Sequence, residues 1–328
     1  MVIGRAVTGR TAFRVSTVRR PVRSEDTTVV DAQTPGYTAA TYGGVDVLVG
    51  PERGAYPYAN SLLVRGAAET LVVDPSLSLV KDAPSADLVL VSHTHEDHIA
   101  GLGSYDAVPA HVHDADLAAL RSREAMVAGL GLPPDAAQEL EAAFRDDFHV
   151  QGRPDALGFE DGAVFDLGGR TVTVIHLPGH TAGHSGFLIE PDGFLFLADI
   201  DLTSFGPYYG DPGSSLTDFE ASMRLCREID ARWYGTSHQK GVIEGTADFR
   251  RRLDAFAGVM EKRDAALLAF LAEPRSVEEI VDHRLVYRPH VEGPHVRPVE
   301  HRTAVQHLDR LLGEGRVAEV EEGRFRAA

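Results

Sequence analysis

The sequence predicts an α/β fold followed by a small C-terminal module of helices and a hairpin, and three observations carry this. Short apolar runs of strand length recur between Val45 and Gly235, with helical repeats between them. Residues able to bind metal stand at or just after the ends of these runs, most densely in Ser92-His-Thr-His-Glu-Asp-His-Ile99. From about Asp248 the pattern changes to helical stripes ending in an alternating tail. The expected parts are an N-terminal arm or edge segment over 1–44, a larger domain over 45–245 and the C-terminal module over 246–328.

Residues 1–23 hold six arginines and no acidic residue, a composition shared with organelle transit peptides. Phe13, Val15 and Val18 among Thr and Ser favour an extended arm instead. Val45–Val49 reads as a strand, and residues 61–65 and 70–74 flank a Gly66-Ala-Ala-Glu69 turn as a hairpin. Asp74 precedes Pro75, a position expected to keep it extended. Leu88 to Val91 has the composition of a strand buried on both faces, and residues 109–113 suggest another. Leu117, Leu120, Val127 and Leu130 lie on one helical repeat, and Ala136, Leu140, Ala143, Phe144 and Phe148 on a second, with Gly129 to Pro134 as the break. This helix pair is either a cover for a substrate pocket or an outer packing layer.

Hairpins are expected for 163–165 with 170–175 across Gly168-Gly169, and for 186–189 with 194–197 across Pro191-Asp-Gly193. Further on, Phe249, Leu253, Phe256, Ala257 and Met260 form one helical stripe, and 266–271 is assigned to the next helix. Ser276-Val-Glu-Glu279 has capping-box spacing and places a helix start at Ser276. Ala304, Leu308, Leu311 and Leu312 form another stripe, stopped at Gly313, and the tail alternates around Glu322-Gly323. Three helices and a hairpin describe a winged-helix-like module.

The chain has 328 residues, enough for one large domain and a small one, and a formal net charge of −17. That charge makes nucleic acid a poor partner. The last 83 residues carry 14 Lys and Arg against 15 Asp and Glu, without a basic face, so packing, support of a lid or homodimerisation is the expected role of the module. Cys226 is the single cysteine, which excludes intrachain disulfides and fits a reducing, cytoplasmic location. No apolar run is long enough to span a membrane.

His93, His95, Asp97 and His98 fall within six residues just after a core strand. Consecutive side chains there can face two neighbouring pockets. Leu177-Pro-Gly-His-Thr-Ala-Gly-His184, Asp199 with Asp201, and Thr236-Ser-His238 follow other strands and can converge on the same edge. Collected, His93, His95 and His180 suit one metal, and Asp97, His98 and His238 a second, with Asp199 placed to bridge. Each metal would keep an open position for solvent. A hydroxide shared by two metals is a nucleophile at neutral pH, because metal binding lowers the pKa of water towards about 7. Asp74 would orient a ligand in the histidine loop.

In this order, Asp74, His93-Thr-His-Glu-Asp-His98, His180, Asp199 and His238 resemble the five motifs of the metallo-β-lactamase superfamily, over roughly residues 45–245. The resemblance implies an αββα sandwich with a binuclear site at one edge of its two sheets. The C-terminal module resembles the winged-helix-like domain that follows this fold in some members, including endoribonucleases. Asp199 at the fourth motif is similar to glyoxalase II, lactonases, phosphodiesterases and RNA-processing members, whereas β-lactamases usually carry Cys or Ser there. His95 differs from the Glu of flavodiiron oxygen reductases.

The expected function is hydrolysis of an ester, thioester, lactone or similar small-molecule carbonyl substrate by a metal-bridging hydroxide, with Asp97, once freed in part from its metal, or a metal-bound water returning the proton. Two divalent ions are expected, zinc first, with iron or manganese as alternatives. Phosphodiester cleavage, including RNA, and mononuclear iron persulfide dioxygenation are the competing readings, and a non-enzymatic binding protein ranks last because no ligand is missing. Phe205, Tyr208 and Tyr209 follow the bridging aspartate and are expected at the site mouth. His184 and Asp201 are expected near the ligands, and His111 and His113 as strand residues.

Overall fold

The computed structural model describes residues 36–328, so the arginine-rich stretch and most of the expected arm lie outside the described residues. Among the described residues, two sheets face each other. The seven-stranded sheet runs in chain order from Thr38–Tyr42 through Val45–Val49, Ser61–Arg65, Thr70–Val73, Leu88–Leu90 and Ala110–His113 to Leu157–Phe159. Its first four strands pair antiparallel, and the parallel pairs begin where crossovers replace hairpins. The six-stranded sheet has the order Val242–Glu244, Trp233–Gly235, Phe194–Phe196, Ser185–Glu190, Thr171–His176 and Val164–Asp166.

Strand alternation builds the layers. In Val45–Val49, Val45 and Val47 enter the core between the sheets, where they join Leu62, Leu88, Phe187 and Phe196, while Leu48 takes the opposite face. That outer face packs against Leu120, Met126, Val127 and Phe144 of the helices that follow Ala110–His113. The outer face of the second sheet, with Leu195, Leu197 and Tyr234, is covered by Phe219 and Met223 of Leu216–Glu228 and by Phe249, Leu253 and Phe256 of Thr246–Phe270. The result is the expected αββα sandwich.

Three expectations are corrected. Asp74 has φ +49 and is not extended. Its carbonyl accepts from Ser61 Oγ at 2.6 Å and its carboxylate from the Ser92 N–H at 2.6 Å, contacts that offset the roughly 1–2 kcal/mol cost of a left-handed residue. The helical repeat from Leu117 is two helices, Leu117–Arg121 and Arg123–Gly129, because Ser122 turns extended and caps the second by accepting the Ala125 N–H. Thr246–Phe270 is one helix of 25 residues, not two. Its first half buries a stripe on the second sheet and its end supplies Leu267 to the C-terminal core, so each half has a partner and nothing ends it between. The helix Leu216–Glu228 adds an element that the sequence pattern does not announce; Ser215 caps it by accepting the Asp218 N–H.

At the C-terminal end Val277–His283 and Val296–Gly313 pack with the end of the long helix around Leu271, Ile280, Leu308 and Leu311. The Ser276–Glu279 capping box is formed. Val317–Glu321 and Arg324–Ala327 make the expected hairpin, and the two-residue strand Arg275–Ser276 adds to its edge. The described residues form one compact unit. No described helix is long and apolar enough to cross a membrane.

Candidate metal centre

The site lies where strand ends from both sheets meet. Leu88–Leu90 delivers His93 and His95, and a single helical turn, Glu96–Ile99, swings Asp97 and His98 to the other side. The turn after Thr171–His176 carries His180. It needs Gly179, whose φ is +128 and where a Cβ would stand 2.3 Å from the Phe219 nitrogen, so the helix Leu216–Glu228 sits directly on this turn. Asp199 follows Phe194–Phe196, and His238 follows Trp233–Gly235.

Every imidazole in the cluster has one nitrogen engaged outward. His98 Nδ1–H donates to Asp74 Oδ2 at 2.9 Å, His180 Nδ1–H to the Tyr208 carbonyl at 3.0 Å and His238 Nδ1–H to the Gly54 carbonyl at 2.6 Å. Ser92 Oγ–H donates to Asp74, which leaves its oxygen to accept His93 Nδ1–H at 3.0 Å. His95 Nε2–H donates to Asp211 Oδ2 at 2.8 Å. These partners select the tautomers, so the five remaining nitrogens turn lone pairs inward.

Those atoms form two groups. His93 Nε2, His95 Nδ1 and His180 Nε2 stand 3.0 to 3.2 Å from one another, with Asp199 Oδ2 3.3 Å from His180 Nε2. In the second group His98 Nε2 and His238 Nε2 lie 3.2 and 3.4 Å from Asp199 Oδ1, and His238 Nε2 lies 3.4 Å from Asp97 Oδ2. Asp199 thus presents one oxygen to each group. Ligands around a tetrahedral ion with bonds of about 2.0–2.1 Å are separated by roughly 3.3 Å, the spacing found here. His98 Nε2 and Asp199 Oδ1 are buried without a hydrogen-bond partner, a cost of about 1–3 kcal/mol each that a cation would remove. The donor set therefore fits divalent metal.

Electrostatics agree. Burial, reinforced by the neighbouring His98 and His95 rings, holds His93 well below its ordinary pKa. Burial also opposes charge on His98 and His238, but Asp97 and Asp199 outweigh it and raise His98 well above the usual range and His238 to about 10. For Asp199 burial is outweighed by His238 and His98, and its carboxyl is held well below the usual range.

Other candidates fall outside the two groups. His184 donates to the Leu177 carbonyl and accepts the Asp199 N–H, so it orients the backbone of that aspartate. Asp201 turns back on the Thr203 N–H, and burial together with Asp199 pushes its pKa up to about 6. His111 packs against Phe165, and His113 stacks on His176. Tyr208 lies edge-on to His95 and His180, and its hydroxyl donates to Asp211 Oδ1 at 3.2 Å. Phe205 is exposed and packs on Tyr287. Tyr209 is buried, with its hydroxyl against His307 Nε2 and Arg263, away from the metal groups. Sequence reasoning misses Asp211. Its place in the aromatic loop after Asp199 is the only signal, and nothing in that loop predicts that Asp211 reaches His95.

The sequence profile of the metallo-beta-lactamase superfamily matches residues 57–238, more than half of the chain and all of the candidate metal ligands. The chain belongs to the metallo-beta-lactamase superfamily. As a member of it, the protein is a metal-dependent hydrolase. Within the superfamily it is similar to the acyl-coenzyme A thioesterase MBLAC2 of Bos taurus, at 29% identity, and of Homo sapiens, at 30%, in each case over 52% of this chain and 68% of the relative. A crystal structure of the metallo-beta-lactamase family protein TTHA1429 from Thermus thermophilus shares the fold with a TM-score of 0.64 at 22% identity, over 87% of this chain and 99% of that one.

Proposed function

We propose that the protein hydrolyses acyl thioesters with two zinc ions, one held by His93, His95 and His180 and one by Asp97, His98 and His238, with Asp199 shared. The observation that carries the binuclear reading is the placement of the two Asp199 oxygens, one facing each group. When bound, the metals supply a water acidified to about neutral pH and a Lewis acid for the carbonyl oxygen. Asp74 and Asp211 hold the His98 and His95 tautomers. Asp97, buried beside His238, is the carboxylate placed to return a proton on the leaving-group side when one of its oxygens is free of the metal. The Tyr208 ring stands edge-on to His95 and His180 beside the first metal group.

A thioester is preferred because the relatives named above are described as thioesterases. The net charge of −17 speaks against a polyanion such as RNA. The C-terminal module is winged-helix-like in element order, without a basic face.

The test is metal content per chain by elemental analysis of protein purified without a chelating tag, followed by turnover of acyl thioesters, lactones and a phosphodiester. About two zinc ions and a preference for thioesters support the proposal. A single iron with oxygen consumption, or phosphodiester cleavage with strong salt dependence, would replace it.

A further inference from the structure

The loop that presents Tyr208 and Asp211 to the metal groups is held from behind by the C-terminal helices. Arg263, buried on Thr246–Phe270, donates to the Pro207 carbonyl at 2.5 Å, to the Phe205 carbonyl at 3.1 Å and to the Tyr209 hydroxyl at 2.9 Å. On Val296–Gly313, Gln306 donates to the Tyr209 carbonyl at 2.9 Å and accepts the Leu216 N–H at 2.6 Å. One turn earlier Arg302 donates to the Gly210 carbonyl at 3.2 Å and to the Leu130 carbonyl at 2.7 Å. Gly210 packs so tightly on this helix that a Cβ there would stand 2.3 Å from Val299 Cγ1. Residues 205–216 are therefore clamped at five backbone groups by the two helices. Their opposite side supplies the Tyr208 carbonyl to His180 and the Asp211 carboxylate to His95, two of the three imidazoles of one metal group.

We infer that Asp211 is a positioning residue for the His93, His95 and His180 metal, and that Gln306 and Arg302 set the affinity of that position from the C-terminal helix by fixing the Asp211 loop. The inference rests on the binuclear reading above. The physical basis is tautomer and aim. Asp211 keeps the proton of His95 on Nε2 and the lone pair on Nδ1, and a loop displaced by a fraction of an ångström loses that aim. The outward partners of His98 and His238 in the other group are Asp74 and Gly54, which lie outside this loop. The coupling is thus confined to one of the two positions.

The experiment is a zinc competition titration with a chromophoric chelator on the full chain, which resolves two binding steps, for the native protein and for Asp211→Asn, Gln306→Met and Arg302→Lys. All three keep side-chain size. Arg297→Ala is the control, since Arg297 is exposed on the same helix and pairs with Glu278 and Asp282. Asp211→Asn is expected to weaken one zinc step by about tenfold or more, and Gln306→Met and Arg302→Lys to weaken the same step severalfold, while the other step and the control stay put. Unfolding of each metal-stripped variant, followed in parallel, separates lost stability from lost affinity. Two native zinc steps unmoved by Gln306→Met and Arg302→Lys, whatever their stability, overturn the inference and leave the binuclear reading standing. A native protein that binds fewer than two zinc ions overturns that reading itself.

Discussion

The Asp74 carboxylate, fully buried, stands 2.9 Å from His98 Nδ1 and also accepts the Ser92 N–H and hydroxyl, each at 2.6 Å. One residue at the end of Thr70–Val73 thus secures the histidine loop after the neighbouring strand, both as backbone anchor and as tautomer selector for His98.

Asp74→Asn keeps the shape but exchanges an acceptor for a donor towards Ser92 and His98. Zinc affinity of the Asp97, His98 and His238 position is expected to fall by about 10–100-fold, with the other position less affected. Chelator competition on the variant reads this directly. Equal loss at both positions would show that Asp74 acts only by supporting the loop.

His95→Ala and Asp199→Ala remove a ligand from one group and the shared ligand from both. His95→Ala is expected to lower bound metal by about one equivalent and Asp199→Ala by more, each with turnover reduced by several orders of magnitude. Elemental analysis paired with a thioester assay checks both. Turnover surviving in a metal-free variant would refute metal-dependent chemistry at this site.

A third expectation concerns acid. His307 is fully buried between Tyr209 and Asp264, with Arg310 and Arg263 also near, and burial lowers its pKa despite Asp264. Below the unfolded value of about 6.5 the unfolded chain gains a proton that the folded chain refuses, so this contribution is full above that pH and lost as pH falls. Asp264, where burial is outweighed by His307 and Arg310, has a lowered pKa and adds a further loss at lower pH. The melting temperature of metal-stripped protein should drop between pH 7 and pH 5 by a smaller amount in His307→Gln. An unchanged slope in that variant would assign the acid sensitivity to other groups.

Glu300 offers a test of the C-terminal segment. It is 1% exposed, and its carboxylate accepts the backbone N–H groups of Leu285, Val286 and Tyr287 at 2.7, 3.1 and 2.7 Å. Glu300→Ala leaves three donors without this partner and is expected to cost about 3 kcal/mol or more, with Glu300→Gln costing less. Urea unfolding measures it, and a loss below about 1 kcal/mol would mean that water replaces the carboxylate.

The αββα order is legible through the resemblance that the ordered motifs carry, and the seven candidate metal ligands through their residue types at the ends of core strands, which are local patterns. A run such as His93 to His98 needs only the known geometry of a strand end and one helical turn to face two ways. Helix Leu216–Glu228 is not legible there, and Thr246–Phe270 divides, on pattern alone, at a polar stretch that two separate cores bridge. The left-handed Asp74 contradicts its pre-proline preference because hydrogen bonds from Ser61 and Ser92, distant in sequence, decide its backbone.

By itself the sequence determined the set of candidate ligands and the strands on which they ride, since both follow from residue type and short-range spacing. Only the tertiary structure decided which nitrogen of each imidazole faces inward, that Asp211 serves His95, and that Tyr208 and Tyr209 turn to opposite sides of one loop. Those facts depend on hydrogen bonds between segments up to 184 residues apart, and no local pattern records which distant carboxylate, carbonyl or helix arrives to complete them.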